Sequence, residues 1–267
     1  MNTLLTREEL ELQKIYREYA EECVRPHTLE IDRGQFDVGI LIHEMHKLGF
    51  CGIVIPEEYG GLGSSYVHYV LAVEALARAS GPVAKSVSGQ TNMCFPILKY
   101  GTEAQKQKYV VPWVRGDKTS AFTLTEPGAG SDAASIQTSA VLKDGQYIVN
   151  GTKAFITGAR EADFFQTYCQ FRDGSGEKKP MCLLIDVHEC PGITVGRDEE
   201  LMGMRAKSVA EVVFDDVHVP EENLLGRIGE GFHVAMSTLD AGRLGISALC
   251  VGMAQDAIDQ TVKYTRE

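Results

Sequence analysis

The chain has 267 residues, 44% of them apolar, and a formal net charge of −11. That length holds one large or two ordinary domains with real cores, and the acidic balance argues against nucleic acid or an anionic membrane as partners while leaving a protein docking surface open. Seven cysteines without a C-x-x-C pair read as reduced thiols in a cytoplasmic setting, the seven histidines lack zinc-helix spacing, and neither a signal peptide nor a membrane-spanning run is expected.

Residues 5 to 119 read as helical almost throughout. Thr6-x-x-Glu9 is a capping box, opening a helix that carries Leu10, Leu12, Ile15, Tyr16 and Tyr19 toward Pro26. A second helix runs from Val38 to Leu48 and stops at Gly49. Pro56 to Gly63 is too rich in glycine for regular structure and reads as a surface loop. Tyr66 to Ala79 is strongly apolar and is expected to be the buried helix. Gln90 to Tyr100 follows, with Pro96 expected to kink or restart it. Thr102-x-x-Gln105 caps a last helix that ends near Pro112-Trp113.

From 120 to about 220 the pattern changes to short strands between Gly, Asp and Asn turns, at 121–125, 139–143, 146–149, 153–157, 164–171, 181–186, 193–195 and 209–214. Such spacing predicts a compact β-sandwich or barrel. The stretch Ala121 to Asp132 is a strand running into a glycine-rich turn. Phe122 and Leu124 alternate with Thr123 and Thr125, Pro127 ends the ladder, and Gly128 and Gly130 are expected at positive φ. Consecutive amides in such a turn can form a nest for a phosphate or carbonyl oxygen, with the hydroxyls of Thr125 and Ser131 at hand. A plain capped connection is an equally good reading of the turn alone. Gly128-x-Gly130-x-x-Ala133 imitates the dinucleotide fingerprint, but that motif needs a helix next. Here strand composition follows, with turns at Asp144-Gly145 and Asn150-Gly151, so no Rossmann unit is expected.

Residues 229 to 267 predict one long helix with Phe232, Met236, Leu239, Ile246, Cys250, Met253 and Ala257 on its apolar face. A helix so long and apolar needs partner helices, expected from another chain or a further part of a longer protein. Asp240 and Arg243 stand i, i+3, the spacing of an ion pair. Arg243 also falls in the seam between Leu239 and Ile246, where an unpaired guanidinium is costly. The fold class is α+β: a helical domain over 1–119, a β domain over 120–227, and the start of a helical bundle over 228–267.

Taken in order, Leu124-Thr125-Glu126-Pro127-Gly128-Ala129-Gly130-Ser131-Asp132, Asn150-Gly151-x-Lys153-x-Phe155-Ile156-Thr157, Met202-Gly203-Met204-Arg205, Phe214-Asp215-Asp216-Val217 and Leu239-Asp240-x-Gly242-Arg243 resemble the acyl-CoA dehydrogenase family, closest to its short-chain branch. The resemblance spans essentially the whole chain. It implies FAD held between the β domain and a C-terminal bundle, with an acyl-CoA thioester stacked on the flavin. Phe122, Leu124 and Thr125 would line the isoalloxazine, Gly130 and Ser131 the ribityl-pyrophosphate, and Phe155, Ile156 and Thr157 the other side of the ring system. Ser131 and the segment Asp240, Ala241, Gly242 and Arg243 would meet the CoA-linked part of the substrate. Gln90, Thr91 and Cys94 are expected to floor the acyl pocket.

The implied reaction is α,β-dehydrogenation, with an electron-transferring flavoprotein as partner and a homotetramer or dimer as the assembly. The glutamate base is expected beyond Glu267. Its alternative place in the family falls on Gly242, and Glu126 is not the base. The isolated chain is therefore expected to bind FAD weakly and not to turn over. The same site run backwards, as an enoyl-CoA reductase, and a non-catalytic paralogue with a structural role are the alternatives.

Overall fold

The computed structural model describes residues 4–267. The helical part is built from local signals. Helix α1 (Arg7–Tyr19) opens on the expected capping box: Thr6 Oγ1 accepts from the Glu9 amide, and Glu9 answers to the Thr6 amide at 2.6 Å. It continues through a wider π turn and a 3₁₀ turn into α2 (Thr28–Asp32). Helix α3 (Val38–Lys47) is capped by Asp37, and α4 (Tyr66–Ala79) by Ser65. Helix α5 (Gly81–Tyr100) is twice the predicted length and runs through Pro96 without ending. The sequence reading missed its first half because Gly, Pro and Ser there imitate a loop. Helices α6 (Glu103–Gln105) and α7 (Val111–Arg115) flank a second π turn and follow the Thr102 capping box. They end at Gly116, whose φ of 82° a side chain would resist and whose missing Cβ leaves room for the His46 ring.

Pro56 to Gly63 is not a free surface loop. It folds back on Gly52 to Ile55 through backbone bonds from Leu62, Gly63 and Ser64, and it buries Tyr59, whose hydroxyl donates to Glu103 at 3.0 Å.

Eight strands follow: β1 (Ser120–Thr123), β2 (Ser139–Lys143), β3 (Gln146–Thr157), β4 (Phe164–Phe171), β5 (Lys179–Asp186), β6 (Ile193–Asp198), β7 (Val209–Pro220) and β8 (Leu224–Leu225). They hydrogen-bond in the order β6-β7-β3-β2-β4-β5-β8, and β1 lies parallel to β4. The two strands predicted at 146–149 and 153–157 are one, β3, bent at irregularities in its pairing with β7. Alternate residues of these strands, among them Val149, Phe165, Leu183, Phe214 and Val217, fill the β core.

Helix α8 (Gly231–Arg266) departs most from expectation. Its buried face is Gly231, Val234, Ala235, Thr238, Gly245, Ala248, Leu249 and Gly252; of the residues expected there, Met236 and Leu239 are half-buried against the helical core. Phe232, Ile246 and Met253 are exposed instead. The partner helices precede it in the chain: α8 lies along α4 and α5, and its first turn rests on β5. Small residues win because the approach is close. A Cβ on Gly245 would stand 2.1 Å from Ser88 Oγ and 2.3 Å from Tyr69 Oη, and one on Gly252 would stand 2.4 Å from the Glu74 carbonyl. Ion pairs from Arg25 to Asp256 and from Arg78 to Asp259 pin the far half. By length and composition alone α8 is apolar enough to cross a membrane, contrary to the expectation of no such run.

Candidate active site

The glycine-rich turn after β1 is held by a buried ion pair. Lys153 on β3 is fully buried, and its Nζ donates to Glu126 Oε1 at 2.8 Å, to the Leu124 carbonyl at 3.0 Å and to the Tyr168 carbonyl at 2.6 Å. Glu126 in turn accepts the amides of Gln137 and Thr138. All three ammonium protons thus have acceptors, the condition under which a buried charge is tolerated. Burial pushes the Glu126 carboxyl up, but Lys153 and the contacts from Thr138 and Gln137 more than reverse it, leaving it below the ordinary carboxylate range. Burial pulls the Lys153 ammonium down, against the pull of Glu126. The Ala154 amide also donates to the Thr125 carbonyl at 2.9 Å. So β3 fixes Leu124, Thr125 and Glu126 in succession.

Immediately after the clamp β3 bulges. Lys153 faces Val212 and Ile156 faces Ala210, so Ala154 and Phe155 together oppose Glu211. Such an irregularity re-aims a side chain. Phe155 takes φ 57° and leaves its ring 65% exposed. A bulky residue in the left-handed region costs about 1–3 kcal/mol. Of the four non-glycine residues at positive φ among the described residues, two are aspartates, at Asp144 and Asp216, and the other two are Phe155 and Met204. Phe155 and Met204 border the same cavity.

That cavity, of about 260 Å³, lies between α5 and the β domain. Phe122, Thr125, Phe155, Ile156 and Thr157 all line it, so five of the eight residues expected at the cofactor meet there. Leu124 is buried and lines a second, apolar cavity of about 240 Å³ with Tyr168, Pro180 and Phe232. Gly130 and Ser131 sit on the exposed outer face of the turn. Neither Gly128 nor Gly130 adopts positive φ, contrary to expectation. The turn is closed by paired bonds between Glu126 and Ala129, both 3.1 Å. Nor does packing require the two glycines, since a Cβ on either meets nothing within 4 Å. They leave bare backbone where a ligand can approach closely.

Other candidate residues lie away from this cavity. Asp240 and Arg243 are exposed and form no ion pair among the described residues, and Arg243 is not in a buried seam, because the helix turns its small residues inward. Ala241 and Gly242 are half-buried, Gly242 facing Asn92. Asp240 to Arg243 line neither cavity. Thr91 and Cys94 are buried in the helical core, where Thr91 donates to the carbonyls of Cys51 and Val87. Gly89 and Met93 of the same helix line the cavity instead. The side chain of Gln90 lies outside the described residues.

Sequence reasoning also missed Lys85, Met204 and Lys207 on the cavity wall. A lysine directly before the apolar run Ala154-Phe155-Ile156 was the available signal for the Lys153 clamp.

The cavity suits a planar conjugated ring system such as a flavin. Its walls are largely apolar, from Pro82, Met93, Phe122, Phe155, Ile156 and Met204, and Thr125 and Thr157 border it. The buried Ser120 hydroxyl, also on the lining, has no partner among the described residues.

The family models for the N-terminal, middle and C-terminal domains of acyl-CoA dehydrogenase match residues 6–117, 121–217 and 229–267. A short-chain-specific acyl-CoA dehydrogenase of Clostridium acetobutylicum is 39% identical over the whole chain, which covers 70% of that protein. The CarC subunit of the caffeyl-CoA reductase-Etf complex of Acetobacterium woodii is 38% identical, with 96% of this chain and 68% of the relative covered. Among solved structures, butyryl-CoA dehydrogenase of Megasphaera elsdenii superposes with a TM-score of 0.90 at 38% identity, over 97% of this chain and 69% of the other. An acyl-CoA dehydrogenase of Bacillus anthracis solved with FAD gives 0.89 at 32% identity, over 97% and 44%. The protein belongs to the acyl-CoA dehydrogenase family.

Proposed function

We propose that this chain carries the flavin and thioester site for FAD-dependent α,β-dehydrogenation of an acyl-CoA. The observation that carries the reading is the strained, exposed Phe155 ring brought beside Thr125 by the β3 bulge. Phe122, Thr125, Phe155, Ile156 and Thr157 would hold the ring, with Leu124 beneath them. Gly130 and Ser131, on the open side of the turn, would take the ribityl-phosphate part. Ser131 and Asp240 to Arg243 would meet the CoA-linked arm. Bound FAD would supply the acceptor for the substrate's β-hydride. The protein's part is to exclude water, orient the thioester and polarise its carbonyl.

The α-proton needs a carboxylate base. Glu126 cannot supply it, since Lys153 and two amides already occupy it. Among the described residues no Asp or Glu lines the first cavity. The base therefore comes from outside this lining.

The reductase relative, at nearly the same identity as the dehydrogenase, supports a second reading in which the site reduces an enoyl-CoA. An electron-transferring flavoprotein would be the redox partner in either direction, and a homo-oligomer would cover the exposed apolar residues of α8. The test is spectroscopic. With FAD supplied in excess the protein should take up the flavin, and anaerobic butyryl-CoA should shift the flavin band. A colourless protein that takes up no FAD from solution overturns the proposal.

A further inference from the structure

The first cavity has a charge pattern at odds with the rest of the chain. Acidic residues outnumber basic ones by 37 to 26, yet this lining carries Lys85 and Lys207 and no carboxylate. Lys85 belongs to the wall supplied by α5, with Pro82, Ser86, Gly89 and Met93. Among the described residues its ammonium has no ion pair and no hydrogen bond. The neighbouring Ser86 hydroxyl donates to the Pro82 carbonyl at 3.0 Å. Burial holds the Lys85 ammonium below its ordinary pKa, with no opposing charge. Lys207 is also held down by burial, offset in part by Glu161, whose carboxylate is taken by the amide and hydroxyl of Ser208.

A half-buried lysine can lay its stem along an apolar wall and send its head to water. Lys85, half-buried at a largely apolar cavity without a counter-charge of its own, fits better a site whose occupant brings the negative charge, because desolvating an unpaired cation is costly. The wall from β1 and β3 is the one assigned above to the ring, so the α5 wall is left to face the acyl group. We infer that Lys85, supported by Lys207, selects acyl thioesters whose acyl tail ends in a carboxylate. This rests on the acyl-CoA reading of the cavity and specifies its substrate class.

The test is calorimetric binding to the flavin-loaded protein of glutaryl-CoA, succinyl-CoA and butyryl-CoA, with flavin absorbance followed in the same samples. A charge-assisted hydrogen bond in a partly dry site is worth about 10- to 100-fold in affinity. The better of the two carboxylate-terminated thioesters should therefore bind at least about 10-fold more tightly than butyryl-CoA. Lys85→Met should abolish that preference, and Lys85→Arg should retain it. Tighter binding of butyryl-CoA by a yellow wild-type protein overturns this inference alone. An equal loss for all three thioesters in Lys85→Met also overturns it, since the residue would then be structural. A colourless protein that binds none of them removes both this inference and the acyl-CoA reading beneath it.

Discussion

In the β domain, the turn from Leu124 to Asp132 is held by a buried charge pair and by a strand forced into a bulge. Along α8 the chain is held by close approach, with glycines where a single added carbon would collide with Ser88, Tyr69 or the Glu74 carbonyl. The first device is costly to build, since it desolvates Lys153 and strains Phe155, but it fixes a ligand-facing surface to which packing alone would give no direction. The second costs little beyond the choice of small residues, and it serves to dock one rigid element on two others. The difference teaches where function sits: the strained Phe155 and Met204 border the cavity, while the seam rests on close packing of small residues.

The comparison is broken most directly at the clamp. Lys153→Met strips the buried Glu126 of its partner and leaves the Leu124 and Tyr168 carbonyls without a donor, so a loss of about 3–5 kcal/mol is expected in chemical denaturation. The double variant Lys153→Met/Glu126→Leu should recover much of it, because no uncompensated charge remains. If the single variant melts like wild type, the clamp is not what holds the turn. At the seam, Gly245→Val should cost about 1–3 kcal/mol, although leaving glycine in a helix interior is ordinarily favourable. A gain in stability there would show that α8 can lift away from α4 and α5 freely.

Phe155→Gly separates the two kinds of device. Removing the side chain relieves the positive φ, so the apoprotein should gain about 1 kcal/mol. Flavin affinity should fall about 3- to 10-fold by the worth of an aromatic contact, read by equilibrium dialysis. A loss in both measurements would mean that the ring serves packing and not a ligand.

The smallest effect belongs to the helical domain. His46 is buried, with Nδ1 3.0 Å from the Val114 carbonyl, and burial lowers its pKa. The folded value thus lies below that of the unfolded chain, near 6.5. The unfolded chain takes the proton first, so this contribution is complete above about pH 6.5 and is lost as pH falls toward the folded value. Melting temperature should decline over that window, and His46→Asn should flatten the decline.

Much of the fold was written locally. The capping boxes at Thr6 and Thr102, the stop at Gly49 and the turn-bounded runs that became β2, β4 and β5 each need only a few neighbouring residues, because helix ends and strand limits are decided over a short stretch of chain. The family motifs also led to Phe122, Thr125, Phe155, Ile156 and Thr157, which do share a cavity. What only the tertiary structure decided is everything that depends on distant partners. Lys153 lies 27 positions from Glu126, and nothing in its neighbours says that the two meet. The face that α8 buries reversed the hydrophobic reading, because contact distance to α4 and α5 outweighs side-chain apolarity where two backbones lie close. The same holds for Thr91 and Cys94, which a small rotation of α5 assigns to the core, and for Lys85, which it turns toward the cavity. Periodicity fixes that a helix has faces; only the packed neighbours fix which face meets the ligand.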